Sequence, residues 1–536
     1  MRYFICFVFC LSIFTVAFLN AAEKTNKERP NILLIFTDDI GWGDFKCYNP
    51  SGKIETPAID RLAATGMRFT AAHSTSAVCA PSRYSILTGN YPWRGRHPEG
   101  TWDWYGETQF LPGQKTFGHF LQSSGYRTAM FGKANLGMVY ERMIAPDKPD
   151  YSSPLSEGPI QWGFDYSYII PRGHQHCLYA YYENNVLVGD PADIVDLEPG
   201  PYLGGKIGGK GPGMKDWDSV GVGRRLTEKA VAFIDDHLAN NLKKGDNRPF
   251  AIHFNTDGAH DPWTPPETLF GRPLKNETKM SEHTDMILET DIILDYFVRV
   301  LKERNLYDNT LIIITSDNGG IRENQELRDF GHDACGGLKG QKAEIWEGGH
   351  RVPLIIHWGD DSEANSKIKP GSVSEQVVGL HDLVPTFCEI AGVKPDEDQI
   401  LDGVSLLPIL FGQQDTTIPF RKSLLVQARN GFDAQTFSKN RPPEFEGLVP
   451  HVFVQKRFDK AKKEGLDGIG HAVIIDNRWK MMFNLTEDMP EFFADLEKDP
   501  TEKRDLLNDP LYAKQREIAE KEYRRIRVSQ RSVPLL

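Results

Sequence analysis

The 536-residue sequence has no excess of basic residues. It contains 62 lysines and arginines against 74 aspartates and glutamates, which gives a formal net charge of −12 at pH 7. A basic surface for nucleic acid is therefore absent at the level of the whole chain. Hydrophobic residues make up 40% and charged residues 25%, close to the globular average, which excludes global disorder, collagen and coiled-coil rods.

Cysteine is also scarce, with seven residues that follow no metal-finger spacing. Long apolar runs are confined to residues 3–19, which follow the basic Arg2 and precede the small residues Ala21 and Ala22. This pattern predicts a secretory signal peptide over 1–22, with a membrane anchor as the alternative. We expect a protein exported to the periplasm or secreted, lysosomal-type if eukaryotic, without stable membrane insertion.

Apolar runs at 30–37 and 311–315 predict strands buried on both faces. Further predicted strands at 127–131 and 249–254 alternate with predicted helices, among them 226–242. This alternation favours an α/β fold, with a large mixed, mostly parallel sheet sandwiched by helices. In such sheets, functional sites form beyond the carboxyl ends of the strands.

Composition changes twice along the chain. Residues 151–223 are rich in glycine, proline, tyrosine and aspartate, which predicts a long surface insertion, either a wall of the substrate pocket or plain loop. We expect a catalytic domain over 23–420. Short strand-like runs and a closing charged helix predict a smaller α+β subdomain over 421–536, built on a short antiparallel sheet.

Polar pairs end two of the buried strands. Asp38 and Asp39 follow the first, and Asp317 and Asn318 follow the later one. Three clustered carboxylates repel, at about 4 kcal/mol per pair for a separation of about 4 Å and an effective dielectric near 20. The pattern therefore indicates a hard divalent cation, Ca²⁺ or alternatively Mg²⁺.

The most specific stretch is Cys-Ala-Pro-Ser-Arg at 79–83, followed by Leu-Thr-Gly at 87–89. On its own, Cys79 is either a buried thiol or a nucleophile. The stretch closely resembles the signature of type I sulfatases, in the alkaline-phosphatase-like superfamily. Further matches to that family lie at 31–44, 56–62, 315–319, 346–353, 402–406 and 493–500, so the resemblance spans nearly the whole mature chain.

This resemblance implies that Cys79 is oxidised to formylglycine (3-oxoalanine) by a formylglycine-generating enzyme, a partner in maturation. A thiol would form a dead-end thiosulfate, whereas a hydrated aldehyde can attack sulfur and later release sulfate by collapse. The resemblance also implies a sulfuric-ester hydrolase with an alkaline-phosphatase-like fold. It implies that Ca²⁺ is held by Asp38, Asp39, Cys79, Asp317 and Asn318.

Four basic residues complete the implied site. Arg83 and Lys133 would stabilise the hydrated aldehyde, and Lys342 would contact the sulfate. His260 would protonate the leaving alkoxide as a general acid. The motifs around these residues carry their assignment. Without those motifs, the alternative is that the lysines are solvated surface residues and that His260 is a structural histidine.

The sequence departs from the family at Asn135, where the pattern has a histidine that is often named as the base releasing sulfate. Asparagine hydrogen-bonds but takes no proton at neutral pH. His174 and His176 are candidates either to replace this base or to contact a sugar. Gly173 stands where the family places a serine.

Two aromatic clusters suggest a sulfated carbohydrate or polysaccharide as the substrate, because aromatic faces stack on sugar rings. Trp102 and Asp103 belong to the first cluster, and tyrosines at 179, 181 and 182 form the second. Ordinary packing is the alternative for both. Two other functions stay open: a phosphonate or phosphate-ester hydrolase of the same superfamily, or a catalytically weak sulfated-glycan-binding protein.

Overall fold

The computed structural model describes residues 29–96, 105–146, 148–174, 178–322, 327, 329–428, 470–483 and 489–534. The predicted signal peptide, Trp102, Asp103 and His176 lie outside the described residues. Within the described part, the chain has no helix that is both long and apolar enough to cross a membrane.

Among the described residues, fourteen strands build the two larger sheets. The first ten are β1 Asn31–Thr37, β2 Met67–Phe69, β3 Arg127–Lys133, β4 Tyr166–Ile170, β5 Tyr182–Glu183, β6 Val186–Leu187, β7 Phe250–Asn255, β8 Thr310–Ser316, β9 Leu354–His357 and β10 Ser372–Ser374. They form one sheet in the order β6-β5-β4-β3-β7-β1-β8-β9-β2-β10. Its middle strands β4, β3, β7, β1 and β8 are mutually parallel, and antiparallel pairs flank them. The predicted mixed α/β sheet is confirmed.

Helices cover both faces of this sheet. The helices of the described residues are α1 Pro57–Thr65, α2 Cys79–Thr88, α3 Phe117–Ser123, α4 Val222–Lys244, α5 Glu282–Glu303, α6 Glu347–His350, α7 Leu383–Ala391, α8 Leu407–Leu410 and α9 Ala513–Val528. The last of these, α9, packs on the C-terminal strands instead of this sheet. A hydrophobic core lies on each face of the sheet, and alternate residues of β1 point into one or the other. Ile32, Leu34 and Phe36 pack with α2, α3 and α7 on one face. Leu33 and Ile35 pack with α1, α4 and α5 on the opposite face. Complete burial explains why the strand sequence is continuously apolar, and each such side chain contributes roughly 1.5–3 kcal/mol.

Short two-stranded ribbons and 3₁₀ turns lie outside the two larger sheets. The ribbons pair Ala72–His73 with Val378–Gly379, Val139–Tyr140 with Leu155–Glu157, Met143–Ala145 with Lys148–Pro149, Ile194–Leu197 with Gly211–Met214, Gly200–Tyr202 with Gly205–Ile207, and Thr268–Leu269 with Arg272–Pro273. The 3₁₀ turns are Pro92–Arg94, Pro191–Asp193, Tyr307–Asn309, Leu380–Asp382 and Pro510–Tyr512.

The segment 151–223 is not wholly a surface insertion. Its strand β4 pairs in parallel with β3 inside the large sheet, and Ile169 and Ile170 are buried. The high content of glycine, proline and aspartate around this strand hides it in the sequence. The ribbons between Ile194 and Met214, and the strand Leu155–Glu157, belong to this segment and lie outside the large sheet.

A second sheet follows near the C-terminus. Strands β11 Ser423–Ala428, β12 Gly470–Ile475, β13 Trp479–Phe483 and β14 Pro490–Asp495 pair antiparallel in chain order, and α9 packs against them. The predicted short antiparallel sheet is confirmed. The boundary of the catalytic domain at 420 stays a prediction.

Candidate active site

The predicted acidic pairs meet because β1 and β8 are parallel neighbours. Thr37 stands opposite Ser316 in the register, so the residues that follow each strand leave the sheet side by side. The backbone N–H of Asp39 donates to Asp317 Oδ1 over 3.4 Å, and Asn318 Nδ2 donates to Asp39 Oδ1 over 2.8 Å. With Asp38, these side chains are fully buried at the carboxyl edge of the sheet.

Cys79 is the first residue of α2, after Val78 in extended conformation. Backbone N–H groups and the helix dipole at such a start favour an anion, so the Cys79 side chain stands where negative charge is stabilised. The thiol is buried, and Sγ accepts a hydrogen bond from Asn135 Nδ2 over 3.4 Å. Burial raises the pKa of this thiol, so it is poorly suited to act as a thiolate.

Arg83 follows one helical turn after Cys79 and ties the acidic pairs together. Its Nη2 donates to Asp317 Oδ2 over 2.7 Å and to Asp38 Oδ2 over 3.2 Å, and Nη1 donates to Asn255 Oδ1 over 3.0 Å. A fully buried guanidinium requires such partners, because an unpaired buried charge is strongly destabilising.

Two lysines reach the same carboxylates from separate segments. Lys133 ends β3, and its Nζ lies 2.5 Å from Asp38 Oδ2. Gly132 permits this placement, since a Cβ there would lie 1.7 Å from the carbonyl oxygen of Asn255 on β7. Lys342 Nζ lies 2.7 Å from Asp39 Oδ2, and its side chain is partly exposed.

The cations and carboxylates set each other's protonation. Burial raises the pKa of Asp38, but Lys133, His260 and Arg83 more than offset this and hold it well below its usual range. Burial and the adjacent Asp38 raise the pKa of Asp317. The three carboxylates of the cluster thus face three cations within the same buried site, which come from Arg83, Lys133 and Lys342.

His260 faces this cluster from the loop after β7. Its Nε2 lies 3.7 Å from Asp39 Oδ2, and its Nδ1 lies 2.8 Å from the carbonyl oxygen of Asp261. Burial, Lys342 and Lys133 each lower the pKa of His260, but Asp39 and Asp38 outweigh them and the net pKa is raised. A raised pKa keeps the imidazolium available as a proton donor.

Oxygen atoms without protein partners mark where a cation would fit. Asp38 Oδ1 and Asn318 Oδ1 are buried and accept no hydrogen bond from the described residues. Ligand atoms of Asp38, Asp39 and His260 lie within 4.8 Å of one another. An oxygen-dominated, anionic set of this kind suits Ca²⁺ or Mg²⁺ better than a soft metal.

The structure pairs His174 with Asp257. Its Nε2 lies 2.9 Å from Asp257 Oδ2, and the adjacent Gly173 packs on the side chain of Lys133. Asn135 is the residue that hydrogen-bonds Cys79.

Asn255 and Asp257 were missed in the sequence. Asn255 ends β7 and Asp257 lies two residues beyond it, so both stand at the same carboxyl edge as Asp38. The same strand-end pattern that located the acidic pairs would have found them.

The tyrosine cluster proposed as a sugar platform is core packing. Tyr179, Tyr181 and Tyr182 are all buried, and Tyr181 stacks on Tyr168 with ring centroids 5.1 Å apart. Tyr179 and Tyr181 pack against Trp217, whereas Tyr182 packs against Tyr140 on the other side of the sheet.

Known proteins match this chain over most of its length. The sulfatase family model matches residues 30–393. An N-acetylgalactosamine-6-O-sulfatase of Bacteroides thetaiotaomicron is 29% identical over 432 residues, covering 73% of this chain and 78% of its own. An N-acetylgalactosamine-6-sulfatase of Canis lupus familiaris is 28% identical over 434 residues, covering 76% and 71%.

The fold is shared with solved structures. One of them comes from work on the metabolism of multiple glycosaminoglycans by Bacteroides thetaiotaomicron. It superposes on this chain with a TM-score of 0.73 at 24% sequence identity. The match covers 94% of this chain and 100% of that one. The alkaline-phosphatase-like fold expected from the sequence is thereby confirmed.

Proposed function

Because the chain belongs to the sulfatase family, we propose that it removes sulfate from a sulfated glycan through a formylglycine derived from Cys79 and a bound Ca²⁺. The observation that carries this proposal is the convergence of Cys79, Arg83 and the four oxygen-bearing residues at one edge of the sheet. The segments involved are separated by more than two hundred residues, as in the bond between Arg83 and Asp317. Coincidental burial of so many charged groups would be costly.

The cation would be held by Asp38, Asp39, Asp317, Asn318 and the modified residue at 79. When bound, Ca²⁺ supplies positive charge that neutralises the carboxylates and acidifies a coordinated hydroxyl; formylglycine supplies that hydroxyl in its hydrated form. Mg²⁺ is the alternative, with a stricter octahedral demand.

The chain's own residues then divide the work. Arg83 and Lys133 hold the group at position 79 against the acidic cluster, and Lys342 contacts the sulfate oxygens and follows their charge in the transition state. His260 donates a proton from Nε2 to the departing sugar oxygen, while Asp261 holds its Nδ1 side.

Release of sulfate needs a proton acceptor that Asn135 cannot provide. We propose that Asn135 positions the group at 79 through its hydrogen bond and that turnover is slower for lack of a basic side chain there. His174 is the alternative acceptor: its Nε2 lies 2.9 Å from Asp257 Oδ2, and its Nδ1 accepts or donates no hydrogen bond among the described residues.

The substrate proposal rests on the relatives, two of which are named for N-acetylgalactosamine 6-sulfate. We propose an O-sulfated glycan that contains an aminosugar, with the 6-sulfate as the first position to assay. His174, His176, Trp102 and Asp103 stay proposed sugar contacts. Export through a signal peptide and maturation by a formylglycine-generating enzyme are part of the same proposal.

Parallel assays test this function. The protein is produced with a formylglycine-generating enzyme, and the modification at Cys79 is verified by peptide mass spectrometry. An aryl sulfate, an aryl phosphate and a panel of O-sulfated glycans then serve as substrates, with Cys79→Ala as the blank. Faster turnover of the phosphate would overturn the sulfatase assignment, and glycan binding without sulfate release would favour the binding-protein alternative.

A further inference from the structure

A buried charge cluster joins the C-terminal sheet to the loop that carries Lys342. Its centre is Lys480 on β13, which is fully buried. Lys480 Nζ lies 3.0 Å from Glu347 Oε1, 2.9 Å from His350 Nε2 and 2.9 Å from Glu502 Oε1. Glu347 and His350 are the ends of the short helix α6.

Glu502 fixes the start of the same helix from the other side. Its Oε2 accepts a hydrogen bond from the backbone N–H of Glu347 over 2.7 Å, and its carbonyl oxygen accepts one from Lys339 Nζ over 3.3 Å. Glu502 follows β14 in the chain, so both Lys480 and Glu502 come from the C-terminal part of the protein. The beginning of α6 is therefore held by groups outside the large sheet.

Helix α6 in turn holds the loop that carries Lys342. Gly348 N–H donates to the carbonyl oxygen of Lys339 over 2.7 Å, which closes this loop at its base. Within the loop, the N–H of Lys342 donates to Gly320 over 3.0 Å, and that of Ala343 donates to Ala77 over 2.7 Å. The loop thus contacts the segment before Cys79 and the segment after Asn318.

The same helix is packed directly against the proposed cation-binding segment. Gly319 N–H donates to the carbonyl oxygen of Gly349 over 2.9 Å. A Cβ at Gly319 would lie 1.8 Å from the carbonyl oxygen of Gly348, so the two backbone segments are in close contact and leave no room for a side chain. A displacement of α6 would shift both Lys342 and the neighbours of Asn318.

The cluster is not arranged as a metal site. His73, Glu347 and His350 offer three atoms close enough to hold an ion, and His73 Nδ1 lies 3.0 Å from His350 Nδ1. The ammonium of Lys480, however, already contacts both Glu347 and His350. A cation built into the chain occupies the place that an ion would take.

We propose that Lys480 is a positioning residue for sulfate binding. It acts through α6 on the position of Lys342, so the C-terminal sheet contributes to the geometry of the active site. This inference rests on the proposed function, in which Lys342 contacts the sulfate. A positioning role differs from a purely stabilising one, because it acts on one step and through one residue.

The test is a double-mutant cycle read by the inhibition constant of inorganic sulfate, with an aryl sulfate as substrate. The variants are Lys480→Met, Lys342→Ala and their combination, each with formylglycine verified. Arg421→Met is the matched control: Arg421 is also buried before the C-terminal sheet, and its Nη1 lies 2.8 Å from Asp382 Oδ2. Among the described residues, it makes no hydrogen bond or ion pair with α6. Thermal unfolding of each variant records stability separately.

We expect Lys480→Met to raise the inhibition constant and KM about tenfold or more, since misplacement by about 1 Å costs up to about 100-fold. In the Lys342→Ala background, it should cause little further change. Arg421→Met should lower the melting temperature without this effect. If Lys480→Met does not yield folded protein, Glu502→Gln tests the same contact with the amide oxygen still available to Glu347.

Two results would overturn the proposal: an unchanged inhibition constant in Lys480→Met or Glu502→Gln despite a lowered melting temperature, or an equal further rise in the Lys342→Ala background. Failure of the proposed function looks different. In that case the parent enzyme neither hydrolyses the aryl sulfate nor binds sulfate by calorimetry, and Lys342 has no sulfate to contact.

Discussion

The side-chain amide of Asn135 donates a hydrogen bond over 3.4 Å to the sulfur of Cys79. This contact places an uncharged, non-basic group beside the residue that the proposed chemistry converts. An amide can orient its partner but cannot take up a proton at neutral pH. Under the proposed mechanism, we therefore expect the step after sulfate transfer to be slow in this chain.

Replacement of Asn135 by histidine is expected to raise kcat on an aryl sulfate. An imidazole at this position could accept the proton that must leave before sulfate is released, and such a base contributes about 10²–10⁴-fold in favourable cases. Asn135→Leu, which keeps the size but removes the hydrogen bond, should lower kcat instead. The measurement is steady-state kinetics together with a pre-steady-state burst. A kcat that stays the same or falls in Asn135→His would show that release is not limited here.

Calcium should stabilise the protein through the unpartnered oxygens of Asp38 and Asn318. At a free concentration 100 times Kd, a ligand that binds only the folded state adds about 2.7 kcal/mol to the free energy of unfolding. Asp39→Asn should weaken this increment, since it removes a charge from the cluster. The measurement is thermal or denaturant unfolding after chelation and again after calcium is restored.

Asp291→Asn provides the matched control for this experiment. Asp291 is a buried carboxylate whose Oδ1 accepts hydrogen bonds from the N–H groups of Ala58 and Ile59 at the start of α1. This variant should lose stability yet keep the calcium-dependent increment. If calcium leaves the parent protein unchanged, the proposed cation site is contradicted.

His260→Ala should discriminate between leaving groups. Without a proton donor, kcat/KM for a sugar sulfate should fall by about 10²–10⁴-fold, because an alkoxide is a poor leaving group. An aryl sulfate with an acidic phenol needs less protonation and should lose much less. His237→Gln, at a buried histidine whose Nε2 contacts the carbonyl oxygen of Arg248, is the control and should leave the ratio unchanged. Equal losses on both substrates would argue against a general acid at this position.

Glu289 should make stability depend on pH. It is buried on α5, and burial together with Asp257 raises its pKa from 4.5 to about 8. Between these values the folded state keeps a proton that the unfolded chain has released, so stability falls as pH rises through this window. Each pKa unit corresponds to about 1.4 kcal/mol, which puts the effect on the order of a few kcal/mol.

Glu289→Gln is neutral at every pH and should escape this loss. We expect it to match the parent near pH 5 and to melt at a higher temperature above pH 8. Glu303→Gln, at the exposed end of the same helix, should show no pH-dependent difference. A Glu289→Gln variant that is less stable than the parent at high pH would contradict the assigned protonation state.

The sequence was informative where chemistry follows strand ends. Asp38 and Asp317 could be brought together in advance, because parallel strands deliver their carboxyl ends to one edge of a sheet. Asp257 also follows the carboxyl end of a parallel strand. It is harder to predict, because β7 is not followed by an adjacent pair of acidic residues like the one after β1. The positions of Arg83 and Lys342 came from the family resemblance rather than from any local pattern.

Other features left no local signal. Strand β4 is surrounded by turn-forming residues, so its place in the sheet depends on pairing with β3. Lys480 and Glu502 are charged residues of a type that is usually exposed, and only the tertiary structure brings them to Glu347. The packing of Tyr181 likewise depends on rings from distant segments.

The most direct test of the central claim compares sulfate release with the extent of modification at Cys79. Preparations made with different amounts of formylglycine-generating enzyme are assayed on one aryl sulfate, and the modified fraction is measured by peptide mass spectrometry. The account predicts a rate that rises in proportion to the modified fraction and extrapolates to zero without it. A substantial rate in protein whose Cys79 is entirely an unmodified thiol would contradict it.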